Sequence, residues 1–330
     1  MKKIMKELFL GLSLSLLFCS RAYAGELIAG GQAAGIQIST DGVVVEGVGN
    51  VETKEGICCP AEEAGLKRGD LITEINGEKL EGAGELIDKV AQKNGESVQI
   101  KVLRDGRIMR FRLRPALSAE EQWKLGMWLR DSISGIGTIT FYDPESGIYG
   151  ALGHGISDLE TGKLLPLGKG SINETKISGI QKGSSGTPGE LSGCTDAGRP
   201  LGSIEKNTGY GIYGKMLSAV EGKTCLTGKM SVGPASIIST VDDCGTGEFS
   251  VEITRVYHDG DSERCMLAVT DSELCARTGG IVQGMSGSPI IQNGKLVGAV
   301  THVFVNEPRR GYGISIQDML ESAEIPADAA

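Results

Sequence analysis

The sequence predicts a mainly β protein built from two modules, and three observations point there. Glycine supplies 50 of the 330 residues, roughly twice its average usage. It shows no three-residue period, so it marks tight turns and close backbone approaches rather than a collagen. Asn76-Gly77, Asp105-Gly106 and Asn293-Gly294 separate short runs of β-branched and apolar residues, the pattern of tight hairpins. Finally, 40% hydrophobic and 23% charged residues suit a globular chain long enough for about two cores. The 33 basic and 42 acidic side chains give a net charge of −9. That argues against a nucleic-acid binder, which needs a basic face to neutralise phosphates.

The N-terminal segment reads as an export signal. Lys2, Lys3 and Lys6 precede an apolar run from Leu8 to Cys19, and Ala22-Tyr23-Ala24 places small residues where a signal peptidase reads them. The run is short for a hydrocarbon core of about 30 Å. Residues 1–24 are therefore expected to be cleaved from an exported chain, with a retained anchor as the alternative. Of the eight cysteines, seven follow Cys19. Export permits disulfides, but an odd number leaves at least one thiol unpaired within the chain. There is no C-x-x-C and the three histidines are scattered, so neither a metal nor another cofactor is expected.

Residues 27–115 form the first module. Val43-Val44-Val45 reads as a strand, PAEEAGLKRG (60–69) as a helical turn stopped by glycine, and DLITEING (70–77) as a strand closed by an Asn-Gly turn. Residues 85–93 predict an amphipathic helix with Leu86, Ile87 and Val90 inward and Asn94-Gly95 as its stop. Val98, Ile100 and Val102, then Met109, Phe111 and Leu113, alternate about Asp105-Gly106 as a hairpin. With A-x-x-A-G-L-K-x-G-D-x-I-x-x-I-N-G at its centre, the segment resembles a PDZ domain. Such domains take an extended peptide or C-terminal ligand as an added strand beside the helix. The resemblance places that groove at Gly35, Ile36, Gln37 and Ile38, facing the helix; the simpler reading makes Ile36 and Ile38 ordinary strand residues.

Residues 116–130 read as a linker and entry, and 131–330 as the second module. Ile136 to Phe141 is a strand, Asp143 to Gly147 a turn, and Ile148 to Leu152 a strand that delivers Gly153-His154-Gly155. Near the end, Gly284-Met285-Ser286-Gly287-Ser288-Pro289 precedes a hairpin turned at Asn293-Gly294. A serine hydroxyl needs a base to take its proton and donors awaiting the oxyanion. The glycines let the amides of Gly284 and Ser286 point at one spot beside the Ser286 hydroxyl, an oxyanion hole similar to that of the chymotrypsin-like serine loop. Gly183-Ser184-Ser185-Gly186-Thr187-Pro188 fits the same pattern, but polar sequence follows it, and Ser185 reads as a loop residue. His154 is the candidate base. His302 lies within a strand pattern and His258 within an exposed turn. Asp271, Asp158 and Asp143 all remain open as the acid that orients the base. Thr270-Asp271-Ser272-Glu273 is also a capping box.

KLGMWLRDSISGIGTITFYDPESGIYGALGHGI (124–156) and TGGIVQGMSGSPIIQNGKLVGAVTHVFVNEPRRGYGI (278–314) resemble the SpoIVB family of sporulation serine peptidases. The likeness runs from about Leu27 to the C-terminus, with the PDZ domain first and the peptidase second. It implies a PDZ-like α+β domain followed by a chymotrypsin-like double β-barrel, and catalytic residues His154, Asp271 and Ser286. It further implies export to the space between the two membranes around the forespore. The substrates implied are the chain itself and a membrane-bound regulator of the protease that activates pro-sigma-K. An HtrA-like envelope protease and a non-catalytic PDZ scaffold are the alternatives.

Overall fold

Two long strands organise the molecule. Ala33–Val48 and Met127–Tyr142, 16 residues each, pair antiparallel from Val48↔Met127 at one end to Ala33↔Thr138 at the other, with register shifts at Trp128/Leu129 and Arg130/Ser132. The computed structural model describes residues 25–158 and 162–324; the expected export signal at 1–24 lies outside the described residues. Among those described, no helix is long and apolar enough to cross a membrane.

The first halves of Ala33–Val48 and the second half of Met127–Tyr142 belong to a six-stranded barrel. Around it, Lys169–Gln181 pairs with Ala33–Val48, and Glu190–Ser203 with Lys169–Gln181. On the other side Ile148–Ala151 pairs with Met127–Tyr142, and Gly211–Lys215 with Ile148–Ala151. A bridge between Gly202 and Met216 closes the ring. Ile36, Ile38, Ile139, Tyr149, Ile172 and Ile212 fill it. A second barrel is closed by six strands in the order Gly233–Asp242, Gly245–Asp259, Ser262–Val269, Glu307–Ser315, Lys295–Phe304 and Pro289–Gln292. Ile237, Val251, Ile253, Leu267, Ile290 and Val300 pack inside it. The helix Ile316–Ala323, capped by the Ser315 hydroxyl, buries Ile316, Met319 and Leu320 against both barrels. This is the chymotrypsin-like pair of barrels.

The remaining halves of the two long strands enter the PDZ domain, where Val43 and Val44 pair with Ile72 and Leu71. That sheet continues through Leu71–Ile75, Val98–Arg104 and Arg107–Leu113, and the helix Ala83–Gln92 covers it through Leu86 and Val90. The turns form at the expected Asx-Gly pairs. Asn76, Asp105 and Asn293 take φ of 52°, 48° and 53°, and the glycine after each is also left-handed, as a type I′ hairpin turn requires. Ile87, expected inward, is instead 57% exposed.

The expected domain boundaries need correction. Residues 27–39 are peptidase, not PDZ: Leu27–Ala29 pairs with Phe141, Tyr142 and residues 223–225, and Ala33–Ser39 is a barrel strand. Residues 127–130, assigned to the linker, are instead a strand of the PDZ sheet. The PDZ domain is thus inserted into a hairpin of the first barrel rather than placed ahead of it. Its entry and exit are adjacent antiparallel strands, paired within the barrel up to Ser39↔Ser132 and again within the PDZ sheet from Val44↔Arg130, with a register shift between the two stretches.

One buried ion pair anchors the insert. The Asp70 carboxylate is fully buried and accepts from Arg104 Nε at 2.5 Å, Arg104 Nη2 at 2.6 Å and the Lys67 amide at 2.9 Å. Removing the cation leaves an uncompensated buried charge. Arg104→Met is therefore expected to destabilise the PDZ domain by about 3 kcal/mol, read as a lower urea midpoint for its unfolding; an unchanged midpoint would count against this role for the pair.

Candidate active site

The histidine and the serine are delivered from opposite barrels to the same short segment. Ile148–Ala151 ends in Leu152 (φ 71°) and Gly153 (φ 68°). Two consecutive left-handed residues, one of them a leucine, bend the chain sharply and store strain beside a site. There is little room at the bend, since a Cβ on Gly153 would stand 3.1 Å from the Thr301 methyl. His154 follows, and its ring lies against His302 with centroids 4.7 Å apart and planes tilted by 33°. Ser286 comes from the second barrel, and its hydroxyl donates to the Thr301 carbonyl at 2.7 Å. His154 and Ser286 therefore converge on residues 301 and 302. His302 stands beside the candidate base; a strand pattern carries no signal for that placement.

The tautomer of His154 follows from its neighbour. Nδ1 lies 2.9 Å from the Gly155 carbonyl oxygen. A carbonyl only accepts, so Nδ1 carries the proton and Nε2 presents its lone pair. Burial holds His154 below the ordinary imidazole value, with the Gly155 carbonyl acting in the opposite direction.

The serine loop is built on carbonyl contacts. Leu191 N–H donates to the Gln283 carbonyl at 2.9 Å, and Ser288 N–H to the Met285 carbonyl at 3.0 Å. Gly284 (φ 99°) and Gly287 (φ 97°) take the left-handed conformations this curl needs. A Cβ on Gly287 would come within 2.1 Å of the Thr138 carbonyl oxygen. Among the described residues, the amides of Gly284 and Ser286 donate to no other group. The arrangement offers a hydroxyl with two unengaged N–H donors beside it, and an imidazole with a free lone pair set against the residue that follows the hydroxyl's acceptor.

None of the three candidate acids hydrogen-bonds His154. Asp271 caps the helix Ser272–Thr278: its Oδ1 accepts from Leu274 N–H at 2.9 Å and its Oδ2 from Ser250 N–H at 3.2 Å. Both oxygens accept from backbone amides and neither meets the imidazole, whose hydrogen bond among the described residues goes to Gly155, so the expected pairing with the base is not formed. Asp143 is buried in its own turn, accepting from the Ser146 hydroxyl at 2.6 Å and the Glu145 amide at 3.0 Å. Asp158 accepts from Arg130 at 2.7 Å. Ser185 lies, as expected, in an exposed turn bridged by Ser184 and Thr187. The polar sequence after it is nonetheless a strand, Glu190–Ser203, paired with Lys169–Gln181. The serine look-alike is thus the turn of a hairpin whose outgoing strand supplies Leu191 to the loop of Ser286.

The peptide groove also moves. Gly35, Ile36, Gln37 and Ile38 are paired on one side with Ser134 to Ile136 and Ile133, and on the other with residues 170–173. With both edges filled, no peptide strand can be added there, which corrects the expected position. The open edge belongs to Met127–Arg130, which pairs with Val44–Val48 on one side only. A groove of about 740 Å³ separates it from the helix Ala83–Gln92, lined by Leu86, Ile87, Val90, Trp123, Leu125 and Trp128. The exposure of Ile87 and of Trp128, at 63%, arises here. Asp131 fixes the groove's other end by accepting from the Ala83 amide at 2.8 Å.

Capping by Asp271 has a measurable consequence. Asp271→Ala is expected to lower stability by about 1 kcal/mol, and Asp271→Asn to leave it within a few tenths because asparagine caps equally well. Equal thermal shifts in the two variants would contradict a capping role.

The comparisons with known proteins find a peptidase family and a PDZ domain. The family model for the SpoIVB peptidase S55 matches residues 121–320, and a PDZ domain model matches residues 58–104. A probable periplasmic serine endoprotease, DegP-like, of Marinomonas sp. (strain MWYL1) is 43% identical over 79 residues, 21% of this chain and 17% of that protein. The chain thus spans about a sixth of that curated relative's length. Among solved structures, the PDZ domain of the SdrC-like protein from Listeria monocytogenes covers 28% of this chain and 90% of its own, at 28% identity and a TM-score of 0.23. The Rv3671c protease from M. tuberculosis, in its active form, covers 76% of this chain and 89% of its own, at 10% identity and a TM-score of 0.35. With a family model matched across the segment that holds both His154 and Ser286, the chain belongs to the SpoIVB peptidase S55 family.

Proposed function

We propose that the protein is a serine endopeptidase in which Ser286 is the nucleophile and His154 the general base. The observation that carries this reading is the convergence of the two residues on Thr301 and His302, with the free amides of Gly284 and Ser286 beside the hydroxyl. In the reaction, Ser286 Oγ turns from the Thr301 carbonyl towards His154 Nε2 and gives it the proton as it bonds to the scissile carbonyl carbon. The Gly284 and Ser286 amides receive the developing oxyanion. Nε2 then protonates the departing amine, and water hydrolyses the acyl-enzyme by the same route in reverse. The Gly155 carbonyl, which accepts from Nδ1–H, takes the orienting place that an aspartate occupies in other serine peptidases.

The substrate reading follows from the family and the groove. The protein is proposed to be exported and to act in sporulation signalling, between the two membranes of the forespore. There it would cleave itself and a membrane-bound regulator of the protease that activates pro-sigma-K. A peptide or C-terminal ligand is held along Met127–Arg130 beside the helix Ala83–Gln92, so that its parent protein is presented to the cleft. The HtrA-like alternative is disfavoured by topology, since the PDZ domain here is inserted within the first barrel rather than following the peptidase.

Ser286→Ala is expected to abolish cleavage of a membrane-anchored substrate while folding and groove binding persist; unchanged cleavage by that variant removes the mechanism. The pH dependence is a second check. Burial lowers the His154 pKa, so the neutral, basic form survives to lower pH than an ordinary imidazole, whose value is about 6.5. The acid limb of kcat/KM should therefore lie below pH 6.5, and a midpoint above that value would contradict the buried base.

A further inference from the structure

The serine loop lies in the second barrel, yet a strand of the first barrel holds it. Thr138 and Thr140, two residues apart on Met127–Tyr142 and so on one face of that strand, are both essentially unexposed. The Thr138 hydroxyl donates to the Gly284 carbonyl at 2.8 Å, and the Thr140 hydroxyl to the Gly287 carbonyl at 2.8 Å. The Thr138 amide also donates to the Ser286 carbonyl at 2.9 Å. Within the loop, the buried Ser288 hydroxyl donates to the Met285 carbonyl at 2.7 Å, alongside the Ser288 amide. Nothing in the proposed reaction uses these hydroxyls.

Their placement matters because a trans amide is planar, with its C=O and N–H pointing in opposite directions. Fixing the Met285 carbonyl fixes the direction of the Ser286 N–H. The Gly284 N–H shares its plane with the Gln283 carbonyl, which the Leu191 amide holds, and the Thr138 hydroxyl on the Gly284 carbonyl fixes the peptide plane that links the two oxyanion donors. That protection is needed at a glycine, where left- and right-handed conformations are nearly equal in energy, and Gly284 has a φ of 99°. We infer that Thr138 and Ser288 are positioning residues of the oxyanion hole: Ser288 clamps the Met285 carbonyl and so aims the Ser286 amide, while Thr138 clamps the Gly284 carbonyl and so holds the peptide that links this donor to the Gly284 amide, itself aimed by the Leu191 grip on the Gln283 carbonyl. The inference rests on the serine peptidase reading and adds residues that touch no substrate.

Thr138→Val keeps the shape of the side chain and removes its donor; Thr138→Ser keeps the donor; Ser288→Ala removes the second clamp independently. The full-length protein is assayed for peptide hydrolysis and for the rate at which a fluorophosphonate labels Ser286, since phosphonylation also develops charge in the oxyanion hole. Losing a direct oxyanion donor lowers kcat by about a hundred- to a thousandfold. Loosening its support is expected to lower kcat and the labelling rate by roughly ten- to a hundredfold, with KM within about threefold. Thr138→Ser should recover most of that loss, and Ser288→Ala should reproduce the fall in kcat at constant KM, even if Thr138→Val does not fold. The acid limb of the pH profile should stay in place, because His154 is untouched. A wild-type protein that is not labelled at Ser286 overturns the peptidase reading and the clamp together. A labelled wild type whose folded Thr138→Val or Ser288→Ala variant reacts at the same rate overturns the clamp alone, as does a loss at Thr138→Val that Thr138→Ser fails to relieve.

Discussion

The molecule depends on the antiparallel pairing of Ala33–Val48 with Met127–Tyr142. Each strand is shared by two structures: its outer half completes the PDZ sheet and its inner half is a stave of the first barrel. Hydrogen bonding in a sheet fixes register, and a slip of one residue would send every side chain to the opposite face. The same two strands pass through both structures, and residues 40–43 separate the stretch paired in the barrel from the stretch paired in the PDZ sheet. Ile36 and Ile38 face the barrel core, and Val43 and Val45 the PDZ core, so burial at both ends holds one alignment. The bulge at Arg130/Ser132 lies where the ribbon passes from one core to the other, the place where local twist must change.

From the inner end of that ribbon the serine loop takes its shape. Hairpin sequence after Ser286 gives the loop a base in the second barrel, while the glycines on either side leave the backbone free to adopt several curls. The choice among them is made from outside the loop, by Thr138 and Thr140 across the cleft, by Leu191 on the strand leaving the Ser185 turn, and by Ser288 within it. Each grips a carbonyl and leaves the amides of Gly284 and Ser286 unengaged. Glycine thus permits the shape and buried donors on neighbouring strands select it.

What could be read in the sequence was local. The Asx-Gly turns, the helix N-terminus at Asp271 and the amphipathic helix at Leu86 and Val90 depend on residues a few positions apart, and all appear in the structure, although Asp271 itself is the cap and Glu273 pairs with Arg277 instead of closing a capping box. What could not be read was pairing over long separations. Gly35-Ile36-Gln37-Ile38 has the alternation of any half-buried strand, and nothing local says that Ser134 and Ser171 lie on its two sides. Met127 to Arg130, the actual open edge, is about 80 residues beyond the strand it joins, and a groove built from both ends of an insert has no contiguous signature. The same limit hid His302, whose strand pattern suggests a structural residue until the fold sets it against His154. Asp271 shows the converse. Its local pattern supported capping, the family likeness supported catalysis, and the geometry commits both carboxylate oxygens to backbone amides.

The insertion also brings the PDZ domain to the histidine side of the cleft. Arg130, on the strand that borders the groove, bridges Glu46 at 3.1 Å and Asp158 at 2.7 Å, and Asp158 is four residues beyond His154. Asp105, at the tip of the PDZ hairpin, pairs with Lys163 at 2.6 Å, further along the same connection. The second pair is exposed and is worth little by itself. Arg130 and Asp158 are mostly shielded from water, with about a quarter and a fifth of their side chains exposed, so their attraction is less screened. The PDZ domain therefore holds both candidate segments by different means. It meets the segment after His154 through ion pairs, and it meets the Ser286 loop through a continuous strand that runs about 36 Å from Met127 to Thr138 at ~3.3 Å per residue. A domain joined by a flexible linker could supply neither constraint. The ribbon sets the distance between the groove and the Ser286 loop, so under the proposed reading a protein held in the groove would offer for cleavage only the stretch of chain that reaches from one to the other.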